Sequence, residues 1–172
     1  MSNRHGSAVV TLPSDTDILI TRRFDAPPAL VWEALTRPEH VKRWYGLRRL
    51  TLPVCEIDLR PGGQWRYVMH DPEQGIDHVF SGEYREIAPP ERLVYTERYE
   101  GFPGSDHVVT ATLTERAGRT TLTEHMRYPS KEVGDGHLMS GMESGVKETY
   151  ERLDELLASL VAREAPAGRG HP

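Results

Sequence analysis

Near its C-terminal end the chain carries GHLMSGMESGVKETYERLDELLASLV, the one long amphipathic stretch in a sequence that otherwise reads as strands and short helices. From about His137 to Ala162, the residues Leu138, Met139, Met142, Val146, Tyr150, Leu153, Leu156, Leu157 and Leu160 recur at spacings of three and four. Lys147, Glu148, Glu151, Arg152, Asp154 and Glu155 fill the other side, so a helix here must lie on an apolar surface. The six segments before it, LPVCEIDL, QWRYVMH, HVFSGEYREI, LVYTERY, HVVTATLTE and TTLTEHMRY, are rich in β-branched and aromatic residues. Between them stands turn chemistry: Pro61-Gly62-Gly63, Asp71-Pro72 with Gly75, Pro89-Pro90, Gly101 with Pro103-Gly104, and Ala117-Gly118. Short separators make an antiparallel meander, and the long helix is the only element left to cover its open face.

Ahead of the meander, ILITRRF (Ile18 to Phe24) alternates as a half-buried strand. DAPPALVWEAL then predicts a short helix with Asp25 as N-cap, prolines in the first turn, and Leu30, Val31, Ala34 and Leu35 on one face to about Thr36. RPEHVKRWYG predicts a second, begun near Pro38 and closed by Gly46, with Val41 and Trp44 on one side. The reading is an α+β fold: a curved antiparallel sheet of about seven strands around a long C-terminal helix, with two short helices between the first and second strands. A chain of 172 residues supports one sizeable core. A single domain over residues 8–162 is expected, with a flexible start at 1–7 and a disordered Gly- and Pro-containing tail at 163–172.

A net charge of -5 argues against electrostatic binding of nucleic acid, and the basic pieces Arg22-Arg23 and Arg48-Arg49 are short enough to be solvated faces or ion pairs. Cys55 is the single cysteine, which excludes an internal disulfide and any multi-thiolate metal site; it reads as a small residue packed in a strand. No apolar run is long enough to span a bilayer, and MSNRHGSAVV lacks a signal-peptide layout, so a cytoplasmic protein without membrane insertion is expected.

The long helix raises its own question. Gly141 and Gly145 stand in its first half, where each costs about 1 kcal/mol relative to alanine. With Thr149 they are spaced i, i+4, i+8 and line one nearly bare stripe. Either another backbone approaches it closely, or it faces a space.

Four blocks, ILITRRFDAPPALVWEALTRPEHVKRWYG, VCEIDLRPGGQWRYVM, GEYREIAPPERLVYT and GMESGVKETYERLDELL, resemble in order those of homologues of the activator of the heat-shock-protein-ninety ATPase, a branch of the SRPBCC (START-like, helix-grip) superfamily. The resemblance covers about residues 8 to 161. It implies a helix gripped by a curved sheet with a mainly apolar cavity between them, which favours the space over the close approach. It also implies a ligand pocket, used across the superfamily for lipid transfer, hormone and polyketide binding, and aromatase or cyclase reactions.

Alternation along the strands groups Trp65, Tyr67 and Met69; Phe80, Gly82 and Tyr84; and Leu122, Glu124 and Met126. With these sets facing inward, the expected lining is Trp44, Trp65, Tyr67, Met69, Phe80, Tyr84, Leu122, Glu124, Met126, Met139, Gly141, Met142 and Gly145. Glu124, flanked by Leu122 and Met126, would be desolvated and able to hold a proton near neutral pH; with Tyr84 it is the candidate for acid-base work. A wet cavity mouth or an arginine partner is the alternative for Glu124. Trp44-Tyr45 either gates the cavity or plugs the core.

His70-Asp71 and Asp77-His78 flank one hairpin turn and can approach each other, but their spacing fits no standard zinc motif; His125 should point outward, and the facing of His107 is open. No metal and no cofactor is expected, because no nucleophile elbow, phosphate-binding glycine loop or dinucleotide fingerprint is present. Arg60 should brace the Pro61-Gly62-Gly63 turn, and Glu56 with Asp58 reads as a solvated face near Arg60 or Arg66.

Three functions follow. The first is binding of a small hydrophobic or aromatic ligand, lipid- or polyketide-like; the second is a cyclase or aromatase acting on such a ligand. The third is a co-chaperone-like module that stimulates a chaperone ATPase, against which stands the lack of room for the extra N-terminal domain of full-length eukaryotic co-chaperones. An open sheet edge leaves a homodimer as a partner.

Overall fold

In the computed structural model, which describes residues 8–169, the alternating segments form one antiparallel sheet in the order β1-β2-β8-β7-β6-β5-β4-β3. The strands are β1 (Val9–Ser14), β2 (Asp17–Phe24), β3 (Thr51–Ile57), β4 (Gln64–Asp71), β5 (Ile76–Ala88), β6 (Arg92–Tyr99), β7 (His107–Arg116) and β8 (Arg119–Arg127). The helices are α1 (Pro28–Thr36), α2 (Pro38–Trp44), α3 (Lys131–Met139) and α4 (Met142–Arg169). The six-strand meander β3 to β8 is extended by β2, which pairs with β8 from Asp17 opposite Arg127 to Phe24 opposite Thr120. This is the helix-grip architecture, α+β, with a long C-terminal helix against an open antiparallel sheet.

The eighth strand, β1, escapes a reading by alternation. Its Val9 and Leu12 are 56% and 57% exposed and Pro13 interrupts it, so burial leaves no period-two signature on this edge. The first helix also differs in detail. Its N-cap is Pro27, with Pro28 at the first helical position, and no side chain caps it. Asp25 lies further upstream and faces Arg119 at 3.5 Å instead.

The core lies where the leucine-rich half of α4 meets β2 and α1. Leu153 and Leu157 join Ile18, Ile20, Phe24 and Val31 in one buried cluster. Full burial of each such side chain stabilises by roughly 1.5–3 kcal/mol. Trp44 closes the α1–α2 corner by donating its indole N–H to the Ala34 carbonyl at 2.8 Å.

The expected single helix from His137 is two helices. Ser130 caps α3 by accepting from the Val133 amide, α3 ends at Met139, and Gly141 adopts φ +87° before α4 begins. A left-handed residue cannot sit inside a helix, and only glycine takes it without strain. At the other end α4 runs on to Arg169, past the expected stop at Ala162. The expected flexible start (1–7) and the last residues of the expected disordered tail (170–172) lie outside the described residues.

Polar ties fix the loop after α2 to the helix. Arg152 donates to the carbonyls of Gly46 (2.8 Å) and Arg43 (2.9 Å), and the Arg48 amide donates to Glu148 at 2.7 Å. At the β3–β4 turn Arg60 binds Asp58 at 2.9 Å, the bracing expected of it, and Glu56 stands opposite Arg66.

Candidate functional site

Where leucines give way to Met142, Gly145, Val146 and Thr149 on α4, helix and sheet part around a cavity of about 640 Å³. Alternate residues of the sheet make its floor: Trp65, Tyr67 and Met69 from β4, Phe80 and Tyr84 from β5, Tyr95 and Glu97 from β6, His107 and Ala111 from β7, Glu124 and Met126 from β8. Tyr45 and Leu47 come from the loop that Arg152 holds, and Phe102, Ser140 and Gly141 stand at the rim. The rings interlock: Tyr45 meets Tyr67 at 4.7 Å, Trp65 meets Tyr67 at 4.8 Å, and Trp65 meets the edge of Tyr95 at 5.7 Å. Gly82 makes room for the Trp65 indole to donate to the Thr96 carbonyl at 3.2 Å; a Cβ at Gly82 would strike both.

Of the residues expected from sequence, Trp44, Trp65, Tyr67, Met69, Phe80, Tyr84, Glu124, Met126, Gly141, Met142 and Gly145 come together around this space. Two do not. Leu122 is 1% exposed and lies in the packed core, opposite Leu113, beneath the leucine half of the molecule. Met139 is 86% exposed, because the turn at Gly141 breaks its helical phase with Met142. The expected stripe is broken: Gly141 is an exposed turn residue outside α4 whose Cβ would meet nothing within 4 Å, whereas Gly145 on α4 lines the cavity and its Cβ would meet only Leu47 at 3.9 Å.

Glu124 is buried, and Tyr150 on α4 donates its hydroxyl to Glu124 Oε1. Burial pushes its carboxyl up to about 7; the Tyr150 hydrogen bond opposes this and the charge of Glu97 adds to it. Glu124 therefore sits neither at a wet mouth nor against an arginine. Tyr84, the second candidate, is kept a neutral phenol by burial and makes no hydrogen bond to Glu124.

Sequence reasoning missed a second polar cluster. Glu97 on β6 stands in register with His107 on β7, and their side chains meet at 2.9 Å. His107 Nδ1 faces the Ser105 carbonyl, also at 2.9 Å. Both nitrogens thus face acceptors, which suits an imidazolium against a carboxylate. Burial acts against each charge, yet the mutual hydrogen bond holds Glu97 below its ordinary value and His107 above its own. Tyr128 stacks on His107 at 4.3 Å and its hydroxyl bonds His137 Nδ1. Burial lowers the His137 pKa, which favours the neutral ring. The alternation Leu93, Tyr95, Glu97, Tyr99 was the available signal for Glu97.

The other histidines separate. His70 bonds Asp77 at 2.7 Å on the outside, Asp71 is buried and pairs with Arg49 at 2.8 Å, and His78 turns to the Tyr99 hydroxyl at 2.8 Å. His125 points outward, as expected, to Asp17 at 2.6 Å. Among the described residues no three His, Cys, Asp or Glu side chains converge as a metal site would need. Cys55 is half-buried, and burial pushes its thiol up to about 11. Arg22 is buried with its guanidinium over the Phe24 ring at 4.9 Å, not on a solvated face; Arg48 and Arg49 are in ion pairs. No helix among the described residues is long and apolar enough to cross a membrane.

Comparison with known proteins places this geometry. A family model, Activator of Hsp90 ATPase homolog 1-like protein, matches residues 25–158. A crystal structure from Rhodobacter sphaeroides is 30% identical, with a TM-score of 0.84, over 89% of this chain and 99% of that one. A Nitrosomonas europaea structure is 29% identical (TM-score 0.78, 88% and 99% covered), and one from Mycobacterium smegmatis is 25% identical (0.78, 87% and 96%). No curated protein matches the chain.

Proposed function

We propose that this chain, which belongs to the family of Activator of Hsp90 ATPase homolog 1-like proteins, binds a small hydrophobic or aromatic ligand, lipid- or polyketide-like, between α4 and the sheet. One observation carries the reading: a cavity of about 640 Å³ with aromatic and methionine walls and only a few polar points. Such a volume and composition suit a drug-sized ligand. Gly145 supports it, since a helix gives up stability there and gains no contact in return.

The experiment is native mass spectrometry of protein purified from its own host, followed by denaturing release. A bound hydrophobic molecule is expected, and it should be lost in Gly145→Trp, whose side chain would occupy the cavity while the fold remains. A protein that is empty and shifts with no member of a lipid and aromatic library would sink the reading, and capture of a chaperone in a pull-down would then favour the interaction module.

A second reading, a cyclase- or aromatase-type enzyme, has its own observation in Glu124. A carboxyl of pKa about 7 is divided between acid and base at neutral pH. It would take a proton from carbon beside a substrate carbonyl and return it to another atom of the same molecule, with Tyr150 steadying the carboxylate. Turnover that follows this titration and disappears in Glu124→Gln would support catalysis; turnover that survives would leave binding alone.

A further inference from the structure

The charges around the cavity do not balance in the same way at its two polar ends. Glu97 is matched by His107 at 2.9 Å. Glu124 has no cation: its one hydrogen-bonding partner among the described residues is Tyr150, at Oε1, and Oε2 is left to the cavity that Glu124 lines. Among the described residues no lysine lines that space, and the single arginine that does, Arg49 near the rim, is spent on Asp71 at 2.8 Å. Aromatic rings share the cavity with the carboxyl instead. Tyr45, Tyr95 and Tyr150 all lie within reach of its charge, and the Trp44 ring is 6.2 Å from that of Tyr150. A ring face carries partial negative charge and attracts a cation.

We infer that Glu124 Oε2 is the seat of a protonated amine, and that the cavity is built for an aromatic or apolar amine whose ammonium lies between this carboxylate and the rings of Trp44, Tyr45 and Tyr95. This rests on the ligand-binding reading and names the ligand's class. The ammonium supplies the counter-charge that the fold omits, and its approach draws the carboxyl into its ionised form. The same lining rejects fatty acids and other anions, which would meet two carboxylates and no free cation. A carbonyl ligand, which would need Glu124 protonated, predicts the opposite pH trend.

Naphthylethylamine and the matched naphthylethanol make the test, titrated calorimetrically into the full-length protein at about pH 8 and about pH 5.5. The amine should bind at least about tenfold more tightly than the alcohol at the higher pH and within about threefold of it at the lower. Across this range the facing groups are Tyr45, Tyr95, Tyr128 and Tyr150, which keep their protons, His137, whose pKa burial lowers, and the Glu97–His107 pair. Glu124→Gln isolates the carboxyl from all of them: it should erase the amine's advantage and keep alcohol binding. Should that variant fail to fold, Tyr150→Phe, which keeps the carboxyl and removes its donor, should move the pH midpoint of the preference upward. Equal binding of both probes at pH 8, a preference that survives Glu124→Gln, or an unmoved midpoint would overturn the amine seat and leave the ligand-binding reading standing. Failure of the wild type to take up either probe would count against both.

Discussion

Glu124 is a carboxyl that the fold would rather keep protonated, and this has a cost that can be measured without any ligand. Its pKa rises from an ordinary 4.5 to about 7, with burial the main cause. A folded state that holds a proton more tightly than the unfolded one is favoured below the unfolded value, and the advantage drains away as pH rises to the folded value. At pH 8 the ionised carboxyl therefore costs about 3 kcal/mol relative to an unperturbed one. Glu124→Gln keeps an acceptor for Tyr150 and carries no charge, so it should stabilise the protein by about 2–3 kcal/mol at pH 8 and by little at pH 5. Urea unfolding at the two pH values checks this, and equal effects at both would remove the carboxyl from the account. That Glu124 shares a strand face with Leu122 and Met126 was legible in sequence; the choice between burial and a wet mouth or an arginine partner was not. Its partner Tyr150 reads there as one more apolar residue of a helix stripe, and the Glu97–His107 pair depends on a register between strands that local pattern does not contain.

The two glycines that interrupt the C-terminal amphipathic stretch serve different elements, although the sequence presents them as one stripe. Gly141 is the left-handed hinge between α3 and α4, whereas Gly145 lies inside the first turns of α4 over open space. Alanine should tell them apart. Gly141→Ala forces a side chain into φ +87° and should cost about 1–2 kcal/mol, though nothing crowds its Cβ. Gly145→Ala should gain up to about 1 kcal/mol, since helical propensity rises and Leu47 stands at an ordinary 3.9 Å. Denaturant midpoints of the two variants give the comparison, and destabilisation by both would mean that Gly145 is needed for packing. The apolar periodicity of α4 and the meander were plain in the residues. The hinge was not, because Leu138 and Met139 fall in phase with Met142 by spacing, and only the backbone angle at Gly141 reveals that the phase is broken. The edge strand β1 was hidden for the converse reason: with Val9 and Leu12 exposed, no burial imposes alternation on it.

At the scale of the molecule, the sheet order follows from short connections, and the cavity follows from a helix whose small residues fall on the half that meets aromatic strands. The charges this arrangement buries also set how the whole fold responds to pH. Asp17 is held below its ordinary value, its burial outweighed by hydrogen bonds from Thr16, His125 and Arg127; Asp71 is lowered by Arg49, and Glu97 by His107 despite burial. Groups lowered in this way give stability above their unfolded pKa values and lose it as acid protonates them. His137, lowered by burial, likewise loses stability below about 6.5. Glu124 and His107 act in the other direction: both are raised, so their contribution is full at low pH and is lost as pH climbs through about 7 for Glu124 and through the elevated value of His107. The displacement of Glu124 is the larger of those that act near neutrality, so the stability maximum should lie on the acid side, between about pH 5 and about pH 6, with a decline toward pH 8. Thermal unfolding followed by circular dichroism from about pH 4 to about pH 9 tests this. A melting temperature that stays level or rises between pH 6 and pH 8 would mean that Glu124 is ionised at little cost. The decline should be smaller with a bound amine, which stabilises the ionised carboxylate, and unchanged with a neutral ligand of the same shape.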